Sequence, residues 1–234
     1  MREGWRIAVV IPALDEERAI GQVLADVPDW VDQIIVADNG SRDRTADIAR
    51  AAGATVVLEP EPGYGAACLA GLTQIGDAQI IVFLDGDYSD HPEEMASLVD
   101  PIIGDAADMV IGSRVLGARE AGALTPQQRF GNWLATRLIA AFWGVRYTDL
   151  GPFRAIRAPA LASLGMRDRT YGWTVEMQIK AAMAGLRSVE VPARYRRRVG
   201  VSKISGTIKG TVKAGWKILT MIASLAISAS GARK

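Results

Sequence analysis

The chain has 234 residues, of which 49% are hydrophobic, so it suits one large domain with a sizeable core, or one domain with an appendage. The net charge of +1 hides an asymmetry: the residues after Leu150 include 16 of the 27 Lys and Arg but three acidic residues, which predicts an anionic partner for that end unless the two halves neutralise each other. A single cysteine, Cys68, excludes an internal disulfide framework, and the first residues do not resemble a signal peptide, so a reducing compartment is expected.

Short apolar runs alternate with helical patterns along most of the chain. The predicted strands span 6–11, 33–37, 55–58, 80–84, 108–113 and 188–191. The predicted helices span 18–27, 45–52, 63–72, 92–103, 129–143 and 172–184. The Gly- and Ala-rich segment 116–126 is typical of a loop or lid, and 148–154 is typical of a compact polar turn. This alternation indicates βαβ units, so we expect an α/β fold with a mostly parallel, doubly wound sheet.

Two carboxylates follow the most apolar run of the chain. Asp85 and Asp87 come directly after the buried strand predicted at 80–84, with Gly86 between them. Open α/β sheets bind ligands at the carboxyl ends of their strands. Two close carboxylates gain from a cation between them, and hard oxygen ligands suit Mg²⁺ or Mn²⁺ together with substrate phosphates. A metal–diphosphate site is one interpretation, and a solvated turn is the other, because Asp-Gly-Asp is also good turn sequence.

Five segments, in order and in spacing, resemble family 2 glycosyltransferases with the GT-A fold. Among these, the sequence is most similar to dolichyl-phosphate mannose synthases and their bacterial polyprenyl-phosphate relatives. The segments are VIPALDEE at 10–17, VADNGSRD at 36–43, DGDYSDHP at 85–92, GSR at 112–114 and DLGPFR at 149–154. The resemblance, which covers roughly residues 5–205, implies a Rossmann-like GT-A domain with helices on both faces of the sheet, and we assign residues 1–200 to it. The residue pattern after this domain predicts a basic amphipathic C-terminal helix over 201–234.

The resemblance also implies a site for a nucleotide sugar with Mg²⁺ or Mn²⁺. The implied donor-binding residues are Pro12, Leu14, Glu16, Asp38, Asn39, Asp85, Gly86 and Asp87. Asp87 is the implied direct metal ligand, with Asp85 and Ser89 beside it. Asn39 departs from the family, which usually has Asp there, although an amide oxygen can still accept a base N–H. Tyr64 stands where relatives often have a basic residue, so one phosphate contact is expected to be missing.

Sugar transfer builds negative charge on the departing diphosphate, which a divalent ion and preplaced arginines stabilise. The residues that the resemblance implies for catalysis are Asp149, Arg114 and Asp87. The residues implied for phosphate or acceptor contacts are Arg154, Trp173, Glu176, Arg196, Arg197, Arg198 and Lys203. Simpler interpretations remain for several of them: a solvated face for the arginine cluster, a charge at a helix N-terminus for Glu176 and core packing for Trp173.

The role expected of Asp149 depends on the acceptor. A hydroxyl acceptor needs a carboxylate base to take its proton, and Asp149 is the best candidate. A lipid phosphate is already ionised near neutrality, because the second pKa of a monoester is about 6, and Asp149 would then only position the site. A third interpretation is a turn or helix cap.

Beyond residue 203, apolar residues recur at helical spacing and lysines occupy another face. The apolar positions are Ile204, Ile208, Val212, Trp216, Leu219 and Ile222, and the lysines are Lys209, Lys213 and Lys217. This pattern is typical of a helix that lies on a membrane surface. The uncharged stretch 218–232 is shorter than the roughly 20 residues that a spanning helix needs. We therefore expect peripheral attachment to the inner, cytoplasmic face of a membrane; the alternative is docking on the same domain or on a second subunit.

The leading hypothesis is an inverting, metal-dependent glycosyltransferase that moves a sugar from a donor such as UDP-glucose or GDP-mannose to polyprenyl phosphate. The alternatives are the same donor chemistry on a soluble hydroxyl or glycan, and a non-catalytic nucleotide-binding protein. A sugar-phosphate nucleotidylyltransferase is disfavoured because 12–17 lacks the basic, Gly-rich loop it would need after the first strand. Nucleic acid is not an expected partner, since the sheet edge is acidic and no reading motif is present.

Overall fold

The computed structural model describes residues 1–200 and 208–231, and within the last helix it describes the side chains of 213–227. The predicted acceptor residue Lys203 and the first apolar residue of the predicted tail, Ile204, lie outside the described residues. The side chains of Ile208, Lys209 and Val212 lie outside them as well. The domain division at residue 200 therefore stays a prediction.

A seven-stranded mixed sheet is the centre of the described residues. Its strands are β1 (Ile7–Ala13), β2 (Gln33–Asp38), β3 (Thr55–Leu58), β4 (Ile80–Phe83), β5 (Met109–Ser113), β6 (Arg154–Arg157) and β7 (Ser188–Pro192). They are arranged in the order β3-β2-β1-β4-β6-β5-β7. All neighbouring pairs are parallel except the two pairs that β6 makes with β4 and β5. The six predicted strands are confirmed within two residues at each end, and the mostly parallel sheet is confirmed.

Eight α-helices are seen in the described residues. They are α1 (Ile20–Asp26), α2 (Thr45–Ala51), α3 (Tyr64–Leu72), α4 (Met95–Ile103), α5 (Pro126–Trp143), α6 (Ala158–Leu164), α7 (Trp173–Met183) and α8 (Ile208–Gly231), with a 3₁₀ turn at Pro92–Glu94 before α4. Helix α5 begins earlier than predicted because Thr125 and Gln128 form a capping box around a proline at the first helical position. Strand β6 and helix α6, which follow each other directly, were not predicted from the sequence.

The helices cover both faces of the sheet, as predicted. Helices α1, α2 and α4 enclose one core, which includes Ile11, Val82 and Leu98. Helices α3, α5, α6, α7 and α8 enclose the other, which includes Phe83 and Ile139. Because both faces are buried, the central strands are apolar at every position instead of alternating.

Helix α8 lies against α5 and α7, with Ile222 buried in the core beneath them. The residues of α8 that pack there are Ile218, Met221, Ile222 and Leu225. Of the predicted apolar stripe, Trp216 and Leu219 face solvent whereas Ile222 faces the core, so the stripe is divided between two surfaces, and at Ile222 the helix docks on the same domain, as the alternative prediction has it. Of the predicted lysine face, Lys213 is exposed, whereas Lys217 forms an ion pair with the buried Asp168 of the same domain. Among the described residues, no helix combines the length and the apolar character needed to cross a membrane.

Candidate active site

A cavity of about 290 Å³ opens at the carboxyl ends of β1, β2 and β4. The predicted site residues that line it are Pro12, Leu14, Glu16, Asn39, Asp85, Gly86, Asp87 and Arg198. The lining also includes Ala13, Pro62, Gly63, Tyr64, Ala67, Thr170 and Tyr171. The chain positions predicted for the donor base and for its diphosphate therefore meet in one cavity, because neighbouring parallel strands end at the same edge of the sheet.

Asn39 fixes the wall of the cavity that follows β3. Its Nδ2 donates to the carbonyl oxygens of Glu59 (3.0 Å) and Glu61 (2.7 Å), and its Oδ1 accepts the N–H of Gly63 at 2.7 Å. An ionised aspartate cannot donate to those two carbonyls and would repel them. The departure from the family residue thus has a structural role here: the amide holds the 59–63 loop in place.

Asp38 lies behind the cavity surface instead of lining it. The side chain is buried, and its Oδ1 accepts the N–H of Ser41 at 3.3 Å. Glu16, on the opposite wall, is held by its backbone, which donates to the hydroxyl of Thr45 at 2.8 Å. The base-reading pair predicted at 38 and 39 is therefore divided between a turn-forming carboxylate and a lining amide.

Three carboxylates crowd the end of β4. Asp85 Oδ1 accepts the hydroxyl of Tyr64 at 3.0 Å, so Tyr64 contacts a carboxylate where a basic residue was expected to contact phosphate. Burial, and then the charge of Asp87, raise the pKa of Asp85 to about 7. Burial, and then the charges of Asp85 and Asp87, also raise the pKa of Asp90. Burial and the crowding of like charges thus disfavour the ionised forms of Asp85 and Asp90, and a cation bound between the carboxylates would offset this effect.

Asp87 is oriented for a ligand in the cavity. Its Oδ1 accepts both the N–H and the hydroxyl of Ser89, and its Oδ2 lies 3.3 Å from the guanidinium of Arg198. Ser89 is fully buried behind the carboxylate, so it positions Asp87 and does not reach the cavity as the predicted metal contact. The described residues contain no preassembled group of three or more acidic, His or Cys ligands.

This donor set fits a divalent ion that shares its coordination with a bound diphosphate. Asp85 and Asp87 supply hard oxygens, and their mutual repulsion is relieved by a cation. Mg²⁺ and Mn²⁺ accept few protein carboxylates when substrate phosphates complete the shell. The residues therefore fit the predicted cofactor, and Asp85 and Asp87 would hold it.

Metal affinity is expected to rise with pH around neutrality. Asp85 must lose its proton before it binds a cation, and its pKa of about 7 means that it is mostly protonated below that pH. Mn²⁺ binding, followed by calorimetry, is expected to strengthen by about tenfold between about pH 6 and about pH 8. Asp85→Asn is expected to bind more weakly and with a flatter pH dependence. A wild-type affinity that does not change over this range would refute the argument.

The three consecutive arginines point in different directions, and only one reaches the cavity. Arg198 lies between Glu16, at 2.8 Å, and Asp87. Arg196 stacks on the ring of Tyr88 and donates to backbone carbonyls of that loop. Arg197 donates to the carbonyl oxygen at residue 121. The predicted phosphate contacts of Arg196 and Arg197 are therefore corrected: both side chains fasten loops, while Arg198 faces the ligand space.

Asp149 and Arg114 form a buried pair. Asp149 Oδ2 accepts from the Nε and the backbone N–H of Arg114, and Oδ1 accepts from its Nη2, each at 2.7 Å. Oδ1 also accepts the N–H of Leu150. Burial acts to raise the pKa of Asp149, but Arg114 and these hydrogen bonds outweigh it and hold the pKa below its usual range. A carboxylate held in this way is a poor proton acceptor.

Three predicted acceptor residues are buried away from the cavity. Arg154 is fully buried, and its guanidinium donates to the carbonyl oxygens of Leu150, Gly151 and Thr174. Trp173 packs edge-on against Phe83 in the core. Glu176 accepts hydrogen bonds from the backbone N–H groups of residues 167 and 168 and forms an ion pair with Lys180. All three are corrected from ligand contacts to structural groups.

Thr170 and Tyr171 also line the cavity and were not predicted as site residues. The sequence signal for them is the Gly-x-Gly pair at Gly63 and Gly65. A Cβ at Gly63 would lie 2.0 Å from the carbonyl oxygen of Arg169, and one at Gly65 equally close to that of Asp168. The glycines therefore allow the 168–171 segment to approach, a contact that sequence spacing alone does not reveal.

Comparison with known proteins identifies the family. Residues 8–165 match the family model for Glycosyl transferase family 2. A dolichyl-phosphate hexose transferase of Haloferax volcanii is 34% identical over 201 residues, covering 85% of this chain and 86% of that protein. An undecaprenyl-phosphate mannosyltransferase of Micrococcus luteus is 30% identical over 220 residues, covering 88% and 90%.

A solved structure of similar fold also belongs to a sugar-transferring enzyme. Glucosyl-3-phosphoglycerate synthase from Mycobacterium tuberculosis, in complex with Mn²⁺, uridine-diphosphate-glucose and phosphoglyceric acid, has a TM-score of 0.76 at 26% identity, covering 95% of this chain and 80% of that one. The sheet order and the two helical layers are accordingly those of the GT-A fold that the motifs predict. On the family match and the two relatives together, this chain belongs to glycosyl transferase family 2 and is a glycosyltransferase.

Proposed function

We propose that this chain is an inverting, metal-dependent glycosyltransferase that moves a sugar from a nucleoside-diphosphate donor to polyprenyl phosphate. The observation that carries the choice of acceptor is the Arg114–Asp149 pair. Both oxygens of Asp149 are occupied and its pKa is lowered, so the candidate base is unsuited to deprotonate a hydroxyl. A phosphate acceptor needs no base, because it is ionised near neutrality. The names of the two polyprenyl-phosphate relatives support the same acceptor class.

The donor assignment is supported by the residues that line the cavity. By the resemblance, Asn39 and Glu16 belong to the nucleoside part and Asp85 and Asp87 to the diphosphate part, and Arg198 lies between Glu16 and Asp87. A bound Mg²⁺ or Mn²⁺ would offset the charge of the diphosphate there. The complex of the similar synthase with Mn²⁺ and uridine-diphosphate-glucose supports this class of donor and of metal.

The proposed reaction is a single displacement at the anomeric carbon. An oxygen of the acceptor phosphate forms the new bond from the face opposite the donor diphosphate, and the bond from the sugar to that diphosphate breaks with both electrons. No proton has to move in this step. Arg198, already placed beside Asp87, is positioned to interact with the charge that develops on the leaving group.

A small phosphorylated hydroxyl compound is the second candidate acceptor. The observation that favours it is the similarity to the synthase crystallised with phosphoglyceric acid. The hydroxyl of such a compound would have to give its proton to a base other than Asp149, because both carboxylate oxygens of Asp149 accept hydrogen bonds from Arg114.

The test is nucleoside-diphosphate release with Mn²⁺ or Mg²⁺ from UDP-glucose and GDP-mannose, each with and without a short polyprenyl phosphate, and with phosphoglyceric acid in parallel. Release that requires the lipid phosphate and is lost in Asp87→Ala would support the proposal and name the donor. Release that requires phosphoglyceric acid would favour the second candidate. Donor binding without release in any mixture would favour a non-catalytic nucleotide-binding role.

We further propose that the chain works peripherally at the inner, cytoplasmic face of a membrane, where the lipid acceptor would be found. Two helices that pack against each other both expose large apolar side chains. On α5 these are Phe130, Trp133 and Phe142, and on α8 they are Trp216, Leu219 and Ile227. Exposed aromatic groups on helices are typical of surfaces that contact lipid. The division into a catalytic domain, 1–200, and a basic tail, 201–234, belongs to the same proposal.

Binding to anionic vesicles is expected to weaken by about tenfold when Trp133 and Trp216 are both replaced by serine, because each exposed indole contributes apolar area on insertion. Sedimentation with vesicles of phosphatidylglycerol and phosphatidylcholine measures this. Leu58→Ser is the matched control, since Leu58 is equally exposed but lies on edge strand β3. Unchanged vesicle binding would remove the lipid-facing role, and a wild-type oligomer that dissociates in the same variant would favour a subunit contact instead.

A further inference from the structure

The segment 168–172 is a wall of the donor cavity that is built onto two other elements. Its residues Thr170 and Tyr171 line the cavity. Its carbonyl groups at 170 and 169 accept the N–H groups of Gly65 (3.1 Å) and Ala66 (2.8 Å) at the start of α3. The guanidinium of Arg169 pairs with carboxylates in the 59–61 loop on the opposite side. The position of this segment therefore helps to determine the shape of the nucleotide end of the cavity.

One buried carboxylate gives the segment its conformation. Asp168 Oδ1 accepts the N–H groups of Thr170 and Gly172 at 2.8 and 2.9 Å, and also the hydroxyl of Thr170. The side chain of Asp168 is 1% exposed. A buried carboxylate needs a counter-charge as well as hydrogen bonds, because burial strongly disfavours an unpaired ion.

That counter-charge comes from α8, a distant part of the chain. Lys217 Nζ lies 2.6 Å from Asp168 Oδ2. Met221, one turn further along α8, packs against Gly172, where an added Cβ would lie 3.0 Å from its Cε. Ile222 anchors the helix in the core beside them. The only other lysine of α8 whose side chain is described, Lys213, is exposed.

We propose that Lys217 is a positioning residue through which α8 sets the affinity of the donor site. When α8 is seated, its ammonium completes the environment of Asp168 and stabilises the 168–172 wall in its binding conformation. When the pair is broken, the buried carboxylate is left without a counter-charge, and the wall shifts toward conformations in which it is hydrated. This inference rests on the proposed donor site, and it deepens that proposal by making the C-terminal helix a regulator of it.

The coupling works in both directions. A nucleotide that holds the wall in place also favours the seated position of α8. Any partner of the outward-facing Trp216 and Leu219 that stabilises the seated helix would in turn tighten donor binding. The donor site and the outer surface of α8 are thus linked through one ion pair.

The test compares Lys217→Met with Lys217→Arg and with Lys213→Met, the matched control on the same helix. The affinity for UDP and for GDP, each with Mn²⁺, is measured by calorimetry on the full-length protein. Lys217→Met is expected to raise the Kd by about tenfold, within the usual range for coupled sites. Lys217→Arg is expected to restore most of the affinity, and Lys213→Met to bind as the wild type does.

A second readout does not depend on the nucleotide. Hydrogen exchange of the amides of Thr170 and Gly172, which bond to Asp168, is expected to accelerate in Lys217→Met and not in Lys213→Met. Wild-type nucleotide affinity or unchanged exchange in Lys217→Met would overturn the inference, and so would an equal loss in Lys213→Met. If the wild type binds neither nucleotide, the proposed function fails, whereas this inference fails alone when the wild type binds and Lys217→Met binds equally well.

Discussion

Replacing Asp87 with asparagine is expected to lower the rate of sugar transfer by about a thousandfold. The carboxylate lines the cavity, where Ser89 holds its Oδ1 and the guanidinium of Arg198 lies 3.3 Å from its Oδ2. The amide keeps the size of the side chain but removes the charge that would hold a divalent ion beside the diphosphate. The measurement is kcat at saturating donor and Mn²⁺, with the best acceptor from the release assay.

The control for Asp87→Asn is Asp47→Asn. Asp47 is an exposed carboxylate of α2 that pairs only with the exposed Arg50 among the ion pairs of the described residues, so its loss is expected to leave kcat unchanged. Thermal unfolding of both variants shows whether the fold is retained. More than a tenth of the wild-type kcat in a folded Asp87→Asn protein would show that the carboxylate is not the metal-binding group.

Replacing Asp149 with alanine is expected to lower the free energy of unfolding by about 3–5 kcal/mol. The substitution leaves the Arg114 guanidinium, which is 13% exposed, without its counter-charge. It also removes the acceptor for the backbone N–H groups of Arg114 and Leu150. Urea denaturation monitored by tryptophan fluorescence measures the loss.

Asp149→Asn separates the structural role from a role as base. The amide oxygen can still accept some of these hydrogen bonds, so a smaller loss of stability is expected than for alanine. If Asp149 only positions the site, the asparagine variant retains measurable transfer to polyprenyl phosphate, and its rate has the same pH dependence as that of the wild type. A folded asparagine variant that binds donor but transfers nothing at any pH would identify Asp149 as the base.

Local patterns predicted most of the fold because most elements are governed by local forces. The buried strands are uniformly apolar, and the helices between them have the lengths that βαβ units require. The exception is β6. Two arginines bracket its apolar centre, and both are satisfied by tertiary contacts: Arg154 by carbonyls of the preceding turn, and Arg157 by Asp105 and the end of α4. The sequence around β6 contains no pattern that predicts these hydrogen-bond partners for buried arginines in a strand.

The candidate site was predictable in position and less so in contacts. Asp85 and Asp87 were located from the strand that precedes them, since parallel strands direct their carboxyl ends to one edge. Three consecutive arginines in an extended segment point to opposite sides, which could be foreseen from the sequence. Which of them faces the cavity depends on the loops to which Arg196 and Arg197 donate hydrogen bonds. The role of Asp168 depends on a lysine from a helix that packs only after the domain has formed.

On the ribosome, β4 emerges well before the strand that covers its outer edge. Strands β1 to β4 complete one half of the sheet from residues 7–83, but the other side of β4 pairs with β6, at residues 154–157. Until then, a fully apolar strand has an unpaired edge, which is the kind of surface through which nascent chains associate. During synthesis, the interval between the emergence of β4 and its pairing with β6 is therefore one in which we expect this edge to be open to association with other chains or to chaperone binding.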